Sequence, residues 1–196
     1  MELINLRLGK LNFAGVDPKT GMSLLAVFWN RQHATGSVVY RPYFMRDMAS
    51  QGSLFSELLL NAIYFLASKH VSNGTDSCVN AEPGSTISPF RQKMEAVLFA
   101  PDSQLLLKSS ITTIQALLLF SDALFSWCDE KSLSWHYLGI AINMIIDLGI
   151  HSENSRLLST KSNSPETVEV HRRLFWGAFG KTFSVFPCSE QHFVNC

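Results

Sequence analysis

The stretch SITTIQALLLFSDALFSW (residues 110–127), followed closely by SWHYLGIAINMIIDLGI (residues 134–150), decides the fold of this chain. Each stretch is longer than a typical strand, and its polar residues fall along one narrow stripe with apolar residues on almost every other side. This pattern is typical of an α-helix that is buried around most of its circumference. The short connection, Cys128 to Leu133, predicts that the two helices lie antiparallel, as a hairpin at the centre of a core.

The two polar stripes are where this hairpin could carry chemistry. They consist of Thr112, Gln115, Asp122 and Ser126 on the first helix and of His136, Asn143 and Asp147 on the second. An amide and a carboxylate one turn apart, such as Asn143 and Asp147, can line a small ligand pocket. More often, such groups hydrogen-bond across a helix interface and fix the register of two apolar surfaces. We favour the structural interpretation for both residues and for His136.

Further helices are predicted on both sides of the hairpin. Those before it cover residues 22–33, 42–49 and 55–70 and a segment that begins at Ser88-Pro89 and ends before Pro101. The last helix opens at Ser164-Pro165-Glu166 and presents an apolar face of Leu174, Phe175, Ala178 and Phe179. Residues 71–86 are rich in turn formers, and the serine-rich segment 152–164 is expected to be exposed.

These elements predict an all-α chain, because no alternating strand pattern occurs. The predicted architecture is a set of antiparallel helical hairpins packed into a single, incomplete helical domain over residues 22–186. A loose lead-in, residues 1–21, precedes it, and an irregular tail, residues 187–196, follows it. The tryptophans, Trp29, Trp127, Trp135 and Trp176, are expected to be core anchors.

Composition argues against several classes of function. Sixteen basic and sixteen acidic side chains give no net charge, whereas a duplex-DNA clamp should carry a basic surplus. The apolar run of residues 111–127 is shorter than the ~20 residues of a transmembrane helix and contains Gln115 and Asp122. The four cysteines, Cys78, Cys128, Cys188 and Cys196, form no C-x-x-C pair. Since the first ten residues also lack a signal-peptide core, reduced thiols inside the cell are expected.

No arrangement typical of an enzyme or a metal protein is present. The six histidines form no H-x-x-x-H or H-E-x-x-H pair, and the chain has no G-x-S-x-G or G-x-G-x-x-G motif. Gly180-Lys181-Thr182 ends like a phosphate-binding loop, but Phe175 stands where its leading glycine belongs. The basic cluster His171-Arg172-Arg173 is interpreted as a solvated helical turn paired with Glu166 and Glu169 rather than as a nucleic-acid contact. We therefore predict no catalytic, cofactor-binding or metal-binding residue and no enzymatic activity.

Several blocks nevertheless resemble one known family, the fungal-specific transcription factor domain. WHYLGIAINMIIDLGIH (residues 135–151) resembles its central signature, and QALLLFS (residues 115–121) resembles the helix before it. EVHRRLFWGAF (residues 169–179) is similar to its last signature helix, and Tyr40-Arg41-Pro42 and LLNAI (residues 59–63) are similar to its first part. The signature residues are Gln115, Trp135, Tyr137, Gly139, Asp147, Gly149, His151, Arg172, Arg173, Phe175 and Trp176. Together the blocks cover residues 25–179 in the expected order.

The resemblance implies a regulatory helical region of a nuclear transcription factor. It implies partners among regulatory proteins or the transcriptional machinery, a small-molecule effector as a further candidate, and no membrane. In that family a separate N-terminal zinc cluster of six closely spaced cysteines contacts DNA. Because this chain has no such cysteine array, neither zinc nor direct DNA contact carries over to any of its residues.

The sequence departs from the family after Phe179, where Gly180-Lys181-Thr182 replaces the usual aspartate and the later G-R-P turn. We expect a truncated or mis-spliced product whose chain from about Gly180 is not packed natively, with an exposed apolar patch.

Two alternative functions stay open. A helical protein-interaction scaffold without a transcription role would require a repeat of 34 to 40 residues, which is not seen. An all-α enzyme would require paired inward carboxylates, whereas Asp122 and Asp147 occur singly.

Overall fold

A computed structural model of the chain describes residues 2–31, 38–71, 88–101, 103–151 and 164–185. Within these ranges the helices are α1 (Glu2–Arg7), α2 (Pro18–Arg31), α3 (Arg41–Ser50), α4 (Glu57–Val71), α5 (Pro89–Leu98), α6 (Ile111–Trp127), α7 (Lys131–Asp147) and α8 (Pro165–Val185). The described residues contain no strand, which confirms the all-α prediction. The turn-rich segment 72–87, the serine-rich segment 152–163 and the tail from residue 186 lie outside the described residues.

The predicted hairpin is formed by α6 and α7, with a tighter connection than expected. Helix α7 begins at Lys131 instead of Ser134, so only residues 128–130 join the two helices. Their crossing is fixed by two fully buried serines, Ser121 and Ser134. Ser121 Oγ donates to the Ser134 carbonyl at 3.0 Å, and Ser134 Oγ donates to the Ser121 carbonyl at 2.8 Å. Small side chains let the helices approach here, and the reciprocal bonds satisfy both hydroxyls.

This serine pair gives a first testable prediction. Ser134→Ala should lower the free energy of unfolding by about 1 kcal/mol, because one buried hydrogen bond is lost while the small volume is kept. The loss can be measured by urea denaturation followed by circular dichroism. Ser132→Ala, at an exposed position of the same helix, is the control and should change stability by less than about 0.5 kcal/mol. Equal effects at the two positions would contradict the role given to the pair.

Helix α4 is the centre of the core and packs against α2, α5 and α6. Leu59, Leu60, Ala62, Ile63 and Tyr64 are all inaccessible to solvent, as expected for a helix that is apolar on nearly every side. Its buried polar residues, Asn61 and Ser68, bond to carbonyls of the same helix. Asn61 Nδ2 donates to the Glu57 carbonyl at 2.9 Å and Ser68 Oγ donates to the Phe65 carbonyl at 2.9 Å, while the buried Asn61 Oδ1 has no hydrogen-bond partner among the described residues.

The lead-in is more ordered than predicted. Residues 2–7 form α1, Leu11 and Phe13 are buried, and α2 begins at Pro18, four residues before the expected start. Asp17 caps this helix inside the predicted lead-in: its carboxylate accepts a hydrogen bond from the Thr20 amide at 3.1 Å, and Pro18 is the first residue of α2. The limits 1–21, 22–186 and 187–196 stay a prediction.

Most of the predicted helix ends are observed with their expected chemistry. Ser110 and Ser164 accept hydrogen bonds from the amides of Thr113 and Thr167, at 3.2 and 3.3 Å. Ser88 precedes α5 as expected, but its side chain makes no capping hydrogen bond. Gly149 ends α7 with φ 67°, and the Ile150 amide donates to the Ile145 carbonyl at 3.1 Å, which together give the left-handed cap expected of a glycine.

The turn between α3 and α4 is organised by Asp47, whose side chain is almost fully buried. Its carboxylate accepts hydrogen bonds from the Leu54 amide and from Arg46 Nε, both at 2.9 Å. A Cβ atom on Gly52 would lie 2.4 Å from the Asp47 carboxyl carbon, so only glycine fits at this close approach. The turn thereby holds Arg46 against the body of the domain.

Candidate functional site

Four of the signature residues, Arg172, Arg173, Phe175 and Trp176, lie on α8, which packs onto α6 and α7. The inner face of α8 is formed by Val170, Leu174, Gly177, Ala178 and Lys181, which recur at helical spacing and are all buried. The helix continues without interruption to Val185. The prediction that native packing stops at about Gly180 is therefore wrong, since Lys181 beyond it is buried in the interface.

Gln115 of α6 anchors the extended segment that precedes α3. Its Nε2 donates a hydrogen bond to the Val38 carbonyl at 3.0 Å, and both residues are buried. Val38 in turn lies against Gly177 of α8, where a Cβ atom would come within 2.4 Å of Val38 Cγ2. The signature glutamine thus has a structural role: it holds a buried strand-like segment between two helices, and Gly177 makes room for it.

The first half of α8 is tied to the same segment by charged and aromatic contacts. Arg46 Nη1 lies 2.9 Å from both oxygens of Glu166, and the guanidinium of Arg173 lies 4.4 Å from the centre of the Tyr40 ring. Arg172 and Arg173 both bond to Glu169, at 2.7 Å. The predicted pairing of these arginines with Glu169 is confirmed, but their pairing with Glu166 is wrong, because Glu166 reaches Arg46 instead.

The far end of α8 is held by an ion pair that the sequence analysis missed. Lys181 Nζ lies 3.1 Å from Asp122 Oδ1 of α6, and the Lys181 side chain is only 5% exposed. Burial lowers the pKa of the Lys181 ammonium, and the Asp122 carboxylate counteracts part of that effect. Asp122 is therefore engaged in packing the domain rather than directed at a ligand.

The outer face of α8 carries three aromatic side chains, Phe175, Trp176 and Phe179, here called the aromatic cluster. The Trp176 ring centre lies 5.5 Å from Phe175 and 5.8 Å from Phe179, in edge-to-face geometry. Trp176 is 60% exposed and Phe179 is 48% exposed. The assignments of Trp176 as a core anchor and of Phe179 to the covered apolar face are therefore wrong. An exposed apolar patch, by contrast, was expected on this chain.

The signature residues of α7 do not form a site. Tyr137 is buried, with its ring centre 5.1 Å from Phe120, and burial raises the pKa of its hydroxyl. Gly139 has no neighbour close to the position of a Cβ atom. Trp135, 42% exposed, is another exception to the predicted core tryptophans. Trp29 is partly buried against the core, and the Trp127 side chain lies outside the described residues.

The polar stripe of α7 faces solvent, contrary to the prediction. His136, Asn143, Asp147 and His151 are all exposed. His136 Nδ1 contacts the Ser132 carbonyl at 2.6 Å within its own helix. The expected hydrogen bonds from Asn143 and Asp147 across a helix interface are wrong, because both side chains point away from the neighbouring helices. The apolar side of α7, together with the buried Ser134, sets its packing.

The described residues offer no group of three or more histidine, cysteine or acidic side chains that could hold a metal ion. Among the same residues, no helix is long and apolar enough to cross a membrane. What the geometry does offer is an exposed aromatic cluster on a helix that is firmly anchored along its opposite face.

Comparison with known proteins identifies the family. The sequence model described as the fungal specific transcription factor domain matches residues 25–180. The chain is also 27% identical, over 166 residues, to an uncharacterized transcriptional regulatory protein of Schizosaccharomyces pombe. That alignment covers 82% of this chain and 24% of the relative, so the chain spans about a quarter of the relative's length. No solved structure gives a significant match.

The match covers most of the chain and includes α4, the hairpin α6–α7 and most of α8 in one continuous stretch. Several of the residues on which the resemblance was based have structural roles in the fold, above all Gln115, Tyr137 and Gly149. This chain belongs to the family of the fungal-specific transcription factor domain and is a regulatory region of that kind.

Proposed function

We propose that this chain acts in the nucleus as a non-enzymatic regulatory module that binds another protein through the aromatic cluster of α8. The observation that carries the proposal is the exposure of Trp176 and Phe179 on a helix whose opposite face is fully packed. Tryptophan and other aromatic residues are enriched at the centres of protein interfaces, where a few such anchors supply most of the affinity.

The charges beside the cluster favour an acidic partner surface. Arg172 lies one turn before Trp176, and its side chain is 63% exposed. This side chain bonds to the Glu169 carboxylate at 2.7 Å and places a positive charge at the edge of the cluster. The proposed partner surface is therefore a protein segment with apolar side chains flanked by aspartate or glutamate. A rim charge of this kind steers association and sets specificity more than it adds affinity.

The absence of catalysis is part of the proposal. It is supported by the family and by the position of Asp122, the inward acidic residue for which an enzyme site was considered. Asp122 is bonded to Lys181, and Asp147 lies on the exposed end of α7. These two carboxylates are thus not brought together on one wall of a cleft, as a pair of acid and base groups would need to be.

A reporter assay in yeast tests the proposal. The chain is fused to an unrelated DNA-binding module, and transcription from that module's site is compared with transcription from the module alone. We expect the fusion to change reporter output, and Trp176→Ala to remove most of that change, because truncation of a central interface tryptophan costs about 2 kcal/mol or more of binding. Nuclear localisation is followed in parallel with a fluorescent tag on the unfused chain.

The matched control is Leu107→Ala, which truncates an apolar side chain that is 88% exposed outside α8. This variant should behave as the parent chain. If the parent fusion leaves the reporter unchanged, the regulatory proposal fails, and an interaction scaffold without a transcription role becomes the better interpretation. If Leu107→Ala and Trp176→Ala act alike, the aromatic cluster is not the contact surface.

A further inference from the structure

A second feature of the surface, remote in sequence from the aromatic cluster, is a cleft between α1 and α3. Its volume is about 760 Å³, and it is lined by Glu2 and Asn5 from α1 and by residues 41–43, 45 and 46 from α3. Pockets for small molecules commonly have volumes of roughly 300–1,000 Å³ and combine an apolar lining with a few polar groups. This cleft has both properties.

On one wall of the cleft, Arg41 already binds the Glu2 carboxylate in the geometry in which arginine binds a carboxylate ligand. Arg41 Nε donates to Glu2 Oε1 at 3.0 Å, and Arg41 Nη2 donates to Glu2 Oε2 at 2.7 Å. Two parallel bonds of this kind are the arrangement in which arginine recognises carboxylates and phosphates. Donating these hydrogen bonds to Glu2 raises the pKa of the Arg41 guanidinium, so it stays charged.

The contact is also accessible. The side chains of Arg41 and Glu2 are 52% and 30% exposed, and α1 is a helix of only 6 residues. An exposed ion pair of this kind adds little net stability. A carboxylate from solution can therefore compete with that of Glu2 for the same guanidinium.

The floor of the cleft can accommodate an apolar, planar group. Met45 is buried beneath it, and Tyr43 packs edge-to-face on Tyr40 with ring centres 4.6 Å apart. The guanidinium of Arg46 lies 5.4 Å from the centre of the Tyr43 ring. An aromatic group inserted here would meet a thioether, a phenol ring and a guanidinium plane, all of which make favourable contacts with aromatic rings.

We propose that this cleft binds a small aromatic carboxylic acid whose carboxylate replaces that of Glu2 on Arg41. The proposal goes beyond the protein contact at the aromatic cluster and does not depend on it. Arg46 gives the cleft a physical connection to α8, since the same guanidinium bonds to Glu166 in the first turn of that helix. Ligand binding would thus act on the helix that carries the aromatic cluster.

Isothermal titration of the full chain with 2-naphthoate tests the proposal, with 2-naphthamide as the uncharged analogue. Arg41→Gln should weaken naphthoate binding by about tenfold or more, since hydrogen bonds to a charged group are lost. Glu2→Gln should strengthen binding by about threefold or more, because it removes most of the competition from a charged carboxylate. The two substitutions thus have opposite expected signs. Arg31→Gln, which changes an exposed arginine at the end of α2, is the matched control and should leave affinity unchanged.

Several results would overturn the proposal. The first is equal affinity of the parent chain for 2-naphthoate and 2-naphthamide. The second is equal affinity of the Glu2→Gln variant and the parent chain for 2-naphthoate. The third is no binding of 2-naphthoate by either chain. Loss of binding with Trp176→Ala but not with Arg41→Gln would place naphthoate on the aromatic cluster and would also overturn it. If the Arg41→Gln variant loses helicity, the outcome is decided by the affinity of the Glu2→Gln variant for 2-naphthoate and by the affinity of the parent chain for 2-naphthamide. None of these measurements depends on transcription, so failure here and failure of the proposed function are distinguishable.

Discussion

Replacing Asp122 with alanine is expected to lower the free energy of unfolding by about 3 kcal/mol, the largest loss we expect from any single polar substitution in this chain. The substitution leaves the Lys181 ammonium buried without its carboxylate at 3.1 Å. A buried charge that has lost its partner is strongly destabilising, whereas the intact pair adds little in itself. The effect falls at the low end of the usual range because Asp122 is partly exposed.

The converse substitution, Lys181→Met, should cost much less, about 1 kcal/mol or below, since it keeps the volume and removes the buried charge. The double variant Asp122→Ala/Lys181→Met should therefore be more stable than Asp122→Ala alone. Urea denaturation of the parent chain and the three variants completes the cycle. Equal losses for the two single variants would show that the pair acts through packing and not through charge.

The same pair predicts a dependence on pH. Burial lowers the pKa of Lys181 in the folded chain, so the folded chain releases this proton at a lower pH than the unfolded chain does. Stability therefore rises as the pH increases through the interval between the folded and unfolded pKa values of this lysine. The rise should be steeper in Asp122→Ala, because Asp122 holds the lysine pKa up. Lys181→Met should lack this contribution.

The helical hairpin could be predicted from sequence because its signal is local. The apolar periodicity of residues 110–127 and 134–150, with a short connection, defines α6, α7 and their antiparallel packing. Serine and proline marked the start of α8 at Ser164-Pro165, since capping is decided within a few residues of the chain.

The interface of α8 could not be predicted in the same way. Apolar periodicity shows that a helix has a hydrophobic face, but it does not show which of two apolar faces is covered. In α8, Leu174 and Ala178 are buried while Trp176 and Phe179 are exposed, although all four are apolar. The Asp122–Lys181 pair was missed for the same reason, because its partners are far apart in sequence and meet only once the helices are placed.

For the polar stripe of α7, the sequence analysis predicted burial where the structure shows exposure. Asn143 and Asp147 were assigned to a buried interface because the residues around them are strongly apolar, yet Ile146 beside them is 53% exposed. An apolar residue on the surface is not unusual in itself. Conversely, Gln115 sits on a similar stripe and is buried, because the segment at Val38 supplies its hydrogen-bond partner. Only the three-dimensional placement of that segment separates the two cases.

The two helical glycines Gly139 and Gly177 allow the sharpest test of the packing around that segment. Gly177→Ala should lower the free energy of unfolding by about 2 kcal/mol, because the new Cβ atom would lie 2.4 Å from Val38 Cγ2 in a buried contact. Gly139→Ala should instead raise it by about 0.5–1 kcal/mol, because nothing lies within 4 Å of its Cβ position and alanine favours the helix. The same substitution is thus expected to have opposite signs at these two helical glycines.

The source of the Gly177 effect can be isolated with Val38→Ala. Truncation of Val38 alone leaves a cavity and should cost about 2 kcal/mol, but the alanine methyl of Gly177→Ala would occupy part of that space in the double variant. We therefore expect the double variant to be at least about 1 kcal/mol more stable than the sum of the single losses predicts. Strict additivity in thermal or urea denaturation would mean that Gly177→Ala acts elsewhere in α8. The segment held by Gln115 would then not be what requires a glycine at this position.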